Sequence, residues 1–232
     1  QKWFLACVIV ALFIGCNKDE NTPLSPNTGR GSGGDETSVQ IGPLAPKTIL
    51  YSENFSKGAP GWTKIAGPGL FEVVNGVFKH TTEGSSVWCE YAYSPKMFDA
   101  GRYVIQVYVV EQVVNTSFVW RSPDTQIVTA NGGAYQVSFN NSGYAPGPPG
   151  HFTLEKFDPL GRTMLLDLPN KFLGLNTLII DDKDTTVTLI LNGTNYGTFD
   201  VRNLTPAKPW YMVLVGGDWG AGDYFDNVVV QK

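Results

Sequence analysis

The sequence has 232 residues, with 17 Lys and Arg set against 21 Asp and Glu and a net charge of -4, so it lacks the basic excess that a phosphate backbone demands, and nucleic acid is excluded as a partner. Hydrophobic residues make up 42% of the chain, enough for one sizeable core, while 26 Gly and 15 Pro are turn-formers for many short elements. That balance points to an all-β protein.

In chain order, Lys2 precedes an apolar run from Trp3 to Ile14. The run is too short to cross the ~30 Å hydrocarbon layer as a helix but has the length of the apolar part of a secretory signal. It closes on Leu12-Phe13-Ile14-Gly15-Cys16, which resembles the lipobox of bacterial lipoproteins. The resemblance implies a signal peptide over residues 1–15 and a diacylglycerol anchor on the Cys16 thiol; an ordinary cleaved signal or a buried core helix is the alternative. Asn17-Lys18-Asp19-Glu20 resembles the export signal of Bacteroidota surface lipoproteins, which implies an outer-membrane protein exposed at the cell surface. Charged residues are common in any solvated tether, so a periplasm-facing anchor is the second reading.

The 30 residues from Asn17 to Pro46 are rich in Asn, Thr, Ser, Pro and Gly, including Gly29-Arg30-Gly31-Ser32-Gly33-Gly34. Such a stretch buries too little apolar surface to fold alone. Residues 16–46 therefore read as a lipidated cysteine and flexible linker, with a reach of roughly 30 Å as a coil. Residues 47–232 form the folded domain. Cys7 lies in the signal and Cys16 carries lipid, so Cys89 is the single thiol of the domain and no disulfide forms within it. The domain must be held by its core, with Cys89 as a small buried hydrophobe.

Beyond residue 47 the apolar pattern has a period of two. Runs such as Tyr103-Val104-Ile105-Gln106-Val107-Tyr108-Val109-Val110 and Thr186-Val187-Thr188-Leu189-Ile190-Leu191 are β-branched, aromatic and short. They predict strands at 49–55, 71–74, 77–79, 86–93, 103–110, 117–121, 134–139, 151–157, 162–168, 175–181, 186–191, 196–201, 210–215 and 224–230. Asn75-Gly76 and Asn192-Gly193 supply the positive φ angles of tight hairpins, so neighbouring strands pair antiparallel. So many strands cannot form one open sheet without leaving a face uncovered, and a two-sheet antiparallel sandwich is expected.

Glu53-Asn54-Phe55 followed by Gly61-Trp62, then Phe71-Glu72-Val73-Val74-Asn75-Gly76-Val77-Phe78, the Leu191-Asn192-Gly193 hairpin and the terminal Tyr224-Phe225-Asp226-Asn227-Val228-Val229-Val230 resemble the concanavalin A-like (laminin G-like) jelly rolls over about residues 49–230. Within that superfamily the chain is similar to the bacterial domains called 3-keto-disaccharide hydrolase-like. It departs from them at Leu175-Asn176-Thr177-Leu178, where an aromatic residue often opens the strand. The resemblance implies a jelly roll and a polar groove on its concave sheet, and assigns no residue to it.

The catalytic inventory is small. His80 and His151 are the two histidines, and neither has a neighbour at triad or metal-ligand spacing, so both read as solvated or structural imidazoles. Glucanases of the resembled superfamily carry a Glu-x-Asp-x-x-Glu strand whose alternation aims the acids at one cleft. This sequence lacks it; Glu155 with Asp158 and Asp181 with Asp182 have the wrong spacing. Sugar recognition needs less, a flat aromatic face for C–H groups and planar polar groups for hydroxyls.

Alternation proposes such a set. If Val87, Cys89 and Tyr91 point inward, Trp88 and Glu90 point outward; if Ile105 and Val107 point inward, Gln106 and Tyr108 point outward. The same logic turns Gln136 and Ser138 away from Tyr135, Val137 and Phe139, and Arg121 away from Phe118 and Trp120. These residues either line a carbohydrate groove or cover a solvated sheet face. Two loop residues join the candidates: Tyr144, and Trp219, which is either a binding platform or a lid on the sheet edge. In many jelly-roll glycan-binding domains an acid near the first strand and one near the last hold a structural Ca²⁺, an ion wanting 6–8 oxygens. Glu53 and Asp226 occupy those places, and exposed strand-end acids are the alternative. The leading expectation is a surface-anchored lipoprotein that binds carbohydrate without turning it over. Two alternatives stand beside it: a hydrolase acting on a disaccharide or glycan, as the resembled family's name implies, and a structural adhesin or filament subunit. The last would self-associate through outward aromatics or through a strand donated by the low-complexity arm.

Overall fold

The structure is a computed structural model that describes residues 47–65, 71–80, 89–111, 116–123, 134–140, 150–158, 161–202, 209–217 and 223–232. The expectations placed on residues 1–46, including lipidation of Cys16, and on Trp88, Tyr144 and Trp219 lie outside the described residues. Among the described residues the regular elements are all strands. In order these are β1 (Ile49–Glu53), β2 (Thr63–Ile65), β3 (Phe71–Val74), β4 (Val77–His80) and β5 (Cys89–Tyr93). Then come β6 (Arg102–Val109), β7 (Thr116–Ser122), β8 (Ala134–Asn140), β9 (His151–Asp158) and β10 (Gly161–Leu168). The last are β11 (Gly174–Asp182), β12 (Thr186–Leu191), β13 (Thr194–Asp200), β14 (Tyr211–Gly217) and β15 (Tyr224–Gln231).

They form two antiparallel sheets packed as a sandwich. The eight-stranded sheet runs β13-β12-β11-β6-β15-β4-β3 with β1 also paired to β15, and the seven-stranded sheet runs β10-β9-β8-β7-β14-β5-β2. Both Asn-Gly hairpins form: Asn75 and Gly76 have φ of 54° and 79°, and Asn192 and Gly193 have φ of 51° and 82°, the left-handed pair of a type I′ turn. The three-residue β2 is too short to leave a periodic signal in the sequence.

Between the sheets lies one core. Phe118, Trp120, Tyr135, Val137, Phe139, Phe152, Leu154, Met212 and Leu214 come from the seven-stranded sheet, and Tyr103, Ile105, Val107, Leu178, Ile180, Leu189, Phe225 and Val230 from the other. Phe78 stacks between Phe55 and Phe71, with ring centroids 5.0 and 4.9 Å away, which joins β4 to the chain after β1.

Two departures from simple alternation change which residues reach the outer faces. In β7, Ser122 pairs with Tyr211 but Val119 with Val213, so Trp120 and Arg121 together oppose Met212. This β-bulge holds Arg121 at a φ of 61° and turns its side chain inward. There Arg121 is fully buried (0% exposed), against the expectation that it points outward. Its Nε and Nη2 donate to Asp182 at 2.7 and 2.6 Å, and its guanidinium lies 4.9 Å from the Trp210 ring centroid and 5.6 Å from that of Tyr135. Asp182 ends β11 of the opposite sheet, so the pair ties the two layers together. In β5, Ala92 belongs to the core while Tyr91 packs on the outer cluster of Tyr93, Val119, Val213 and Val215. That is the reverse of the expected phase at Tyr91; Trp88 and the Glu90 side chain lie outside the described residues. The cause is that Tyr91, Ala92 and Tyr93 are three consecutive apolar residues, a run that period two cannot order.

Candidate functional site

The outer face of the seven-stranded sheet is built from two rows that cross six strands in register. One runs Tyr93, Val213, Val119, Gln136, Glu155 and Met164; the other runs Tyr91, Val215, Ser117, Ser138, Thr153 and Asp167. Each begins aromatic on β5, becomes aliphatic on β14 and turns polar on β7 or β8, the first row closing on Met164, while the inward positions of these strands are taken by Phe118, Tyr135, Val137, Phe152 and Leu154. Tyr211 joins the aromatic flank, edge-on to Tyr93 with centroids 6.0 Å apart.

The polar half is hydrogen-bonded to itself. Gln136 Nε2 donates to Ser117 Oγ at 3.0 Å and to Ser138 Oγ at 2.7 Å, and Ser117 donates to Ser138 at 3.0 Å. Thr153 Oγ1 donates to Glu155 Oε1 at 2.7 Å, while Arg162 on β10 grips both carboxylate oxygens of Glu155 at 2.6 and 2.8 Å. His151 Nδ1 pairs with Asp167 Oδ1 between β9 and β10. Gln136 and Ser138 do face away from the core, as the sequence implied, but they are buried rather than open to solvent. Outer polar faces of antiparallel sheets are ordinarily solvated, so an enclosed, mutually satisfied set is the informative feature of this one. The face is accessible at its flanks, where Tyr91 and Tyr211 on one side and His151 and Arg162 on the other are half-buried. Both oxygens of Glu155 are engaged, which leaves that carboxylate a positioning group rather than a nucleophile or base.

Gln106 and Tyr108 lie on the other side of the molecule. They point outward from β6 in the eight-stranded sheet, so the expected grouping of Gln106, Tyr108, Arg121 and Gln136 on one surface is not assembled. Alternation fixes which way a side chain leaves its strand, but sheet membership is decided by long-range pairing. Around Gln106 and Tyr108 the structure places Tyr224, Asp226 and Asn227 from β15. The Tyr224 hydroxyl has its pKa raised by burial, with smaller contributions from Tyr108 and Asp226.

Two further polar groups sit at the ends of the sandwich. His80 is buried beside Asp223, Nδ1 to Oδ1 3.5 Å, Thr116 Oγ1 donates to Asp223 Oδ2 at 2.7 Å, and Gly216 makes room for the imidazole: a Cβ there would lie 2.7 Å from the His80 ring. Of the two readings of His80, the structural imidazole is the one observed. Glu53 and Asp226, the pair implied for Ca²⁺, each cap a local turn, Glu53 Oε1 accepting from Phe55 N–H at 2.8 Å and Asp226 Oδ1 from Asn227 N–H at 2.7 Å. Among the described residues no three His, Cys, Asp or Glu side chains come together; a Ca²⁺ held by these two carboxylates would take its remaining oxygens from backbone carbonyls.

No family profile and no curated protein matches the chain. Solved structures do. The carbohydrate-binding module CBM66 from Bacillus subtilis superposes with a TM-score of 0.54 at 12% identity, covering 74% of this chain and 96% of that one. The laminarinase from Flavobacterium sp. UMI-01 gives 0.56 at 11% identity, covering 80% and 100%. SCLam, a non-specific endo-beta-1,3(4)-glucanase from family GH16, gives 0.56 at 12% identity, covering 83% and 94%. Likeness at this identity establishes the two-sheet jelly-roll fold.

Proposed function

We propose that this protein is a lipid-anchored lipoprotein of the outer membrane, exposed at the cell surface, whose jelly roll binds carbohydrate without cleaving it. The glycan lies along the outer face of the seven-stranded sheet. One observation carries the reading: that face sets an aromatic flank and a pre-ordered hydrogen-bonding half side by side in register, the two surfaces a pyranose needs for its C–H side and its hydroxyls. Tyr91 and Tyr211 take the apolar side of the sugar; His151 and Arg162 take the hydroxyls, beside the buried hydrogen-bonded layer of Gln136, Ser117, Ser138, Thr153 and Glu155. The absence of the Glu-x-Asp-x-x-Glu strand from the sequence and the engagement of Glu155 by Arg162 and Thr153 favour binding over hydrolysis. The similarity in fold to a carbohydrate-binding module and to glucanases supports a glycan as the partner. Exchange of water for protein hydrogen bonds returns little net energy, so dissociation constants of about micromolar to millimolar are expected. A glycan array probed with the full chain tests this. Retention of at least one glycan class, weakened in Tyr211→Ala and released unchanged in mass, is the expected result; no retention, or a cleaved product, refutes it.

A further inference from the structure

The opposite face of the sandwich carries a second set of the same chemistry, built independently. Tyr108 on β6 and Tyr224 on β15 are direct cross-strand partners, and their rings lie parallel within 2° at a centroid distance of 4.8 Å. Their row continues to Lys79 on one side and to Leu175 on the other, and Leu175 is 56% exposed. The adjacent row holds Asp226, Gln106 and Thr177. Beyond Asp226 β15 slips register, and Asn227 takes a φ of 45°, a left-handed conformation that asparagine adopts more readily than most residues bearing a side chain. Bulges of this kind re-aim side chains. The Asn227 side chain donates through Nδ2 to Gln106 Oε1 at 2.6 Å and to Asp226 Oδ2 at 3.0 Å, leaving the Gln106 amide nitrogen, the Asn227 amide oxygen and the two phenol hydroxyls at an accessible surface.

A sheet face that only had to meet water would not need a bulge that turns an asparagine amide toward Gln106 beside a stacked tyrosine pair. The neighbouring row of Ile179, Val104 and Val229 shows the aliphatic alternative used on the same strands. We propose that the Tyr108–Tyr224 platform, with Leu175, Gln106, Asn227 and Asp226, is a second saccharide-binding site. It takes a pyranose whose C–H face rests on Leu175 and the tyrosines while its hydroxyls meet the amide–carboxylate group. With a site on each side of the sandwich, one molecule bridges two polysaccharide chains and gains avidity from multivalent glycan.

Affinity electrophoresis of the full chain through gels containing laminarin, xylan, mannan or mucin tests the proposal. Tyr108→Ala and Tyr224→Ala should each weaken retardation roughly fivefold in at least one gel, at an unchanged melting temperature. Tyr211→Ala, on the seven-stranded face, serves as the separate probe of the first site. If the platform variants alone lose retardation, the second site stands and the first falls; if Tyr211→Ala alone loses it, the reverse holds. Should an alanine variant fail to fold, Gln106→Ala reads the same loss. Unaltered retardation of all platform variants, or no retardation of the unchanged protein in any gel, overturns the proposal. So does a size-exclusion shift from oligomer to monomer with retardation intact, which would make the platform a contact between copies of the chain.

Discussion

Replacing Arg121 by Met removes the cation of a fully buried inter-sheet ion pair while keeping the length of the side chain. Asp182 would then keep a single hydrogen bond from the Asp184 N–H, at 2.8 Å, as compensation for a carboxylate with no solvent contact. Breaking a buried pair from one side costs about 3–5 kcal/mol. The lost contacts with Trp210 and Tyr135 add about 0.5–1 kcal/mol each, part of which the methionine recovers by packing. The positive φ at residue 121 is not relieved, because methionine tolerates it no better than arginine. The expected loss is therefore about 4 kcal/mol, against a typical domain stability of about 5–15 kcal/mol. Urea unfolding at neutral pH, followed by far-ultraviolet circular dichroism, reads it as a lower midpoint at constant slope. Adding Asp182→Asn should return about 1–2 kcal/mol, because the orphaned charge is then gone. A loss below about 1 kcal/mol, or weakened glycan binding at unchanged stability, would refute the buried pair and restore an outward Arg121.

Gly216→Ala should destabilise by about 1–3 kcal/mol, since the new methyl meets the His80 ring at 2.7 Å; adding His80→Ala should relieve most of the loss in the same unfolding assay. Burial, opposed by the hydrogen bond from Trp62 and assisted by Glu53, pushes the Tyr51 hydroxyl from 10.0 up to about 12; Tyr103 is raised further, by burial first and by Asp182 second. Both groups keep their protons longer folded than unfolded, so their contribution is complete below about pH 10 and is lost as pH rises through their folded values. A pH titration of unfolding should show stability falling from about pH 10 to 12, less steeply in Tyr51→Phe. Burial raises the Asp181 carboxyl, but Lys47 and Arg102 outweigh it and hold the group below its ordinary 3.8. Its contribution is present above that value and is lost as pH falls through the depressed one, so Lys47→Met should flatten the acid limb of the profile.

The strands were legible in the sequence because their chemistry is local. Asn75-Gly76 and Asn192-Gly193 fix their own turns, and in β6 and β8 the core residues alternate as read: Ile105 and Val107, then Tyr135, Val137 and Phe139. The site was legible only in parts. Gln136 reaches the face proposed for glycan, yet its neighbours Ser117 and Glu155 come from strands whose pairing is set by tertiary contacts, with no local signal. Arg121 escapes the pattern because a bulge leaves no trace in an apolar run that would fit either phase. Tyr224, Asp226 and Asn227 lie within the terminal motif, but their convergence on Gln106 and Tyr108 depends on β15 pairing with β6, more than a hundred residues away in sequence. His151 and Asp167, at opposite ends of a two-strand excursion, meet because β9 and β10 pair antiparallel.

Amide chemical-shift mapping on the full chain, titrated with the glycan best retained on an array, reads the binding face directly. Glycan recognition by the seven-stranded sheet predicts the largest changes at Tyr91, Tyr211, Gln136, His151 and Arg162, saturating together with one dissociation constant. Saturable changes that leave all five residues unmoved would contradict it.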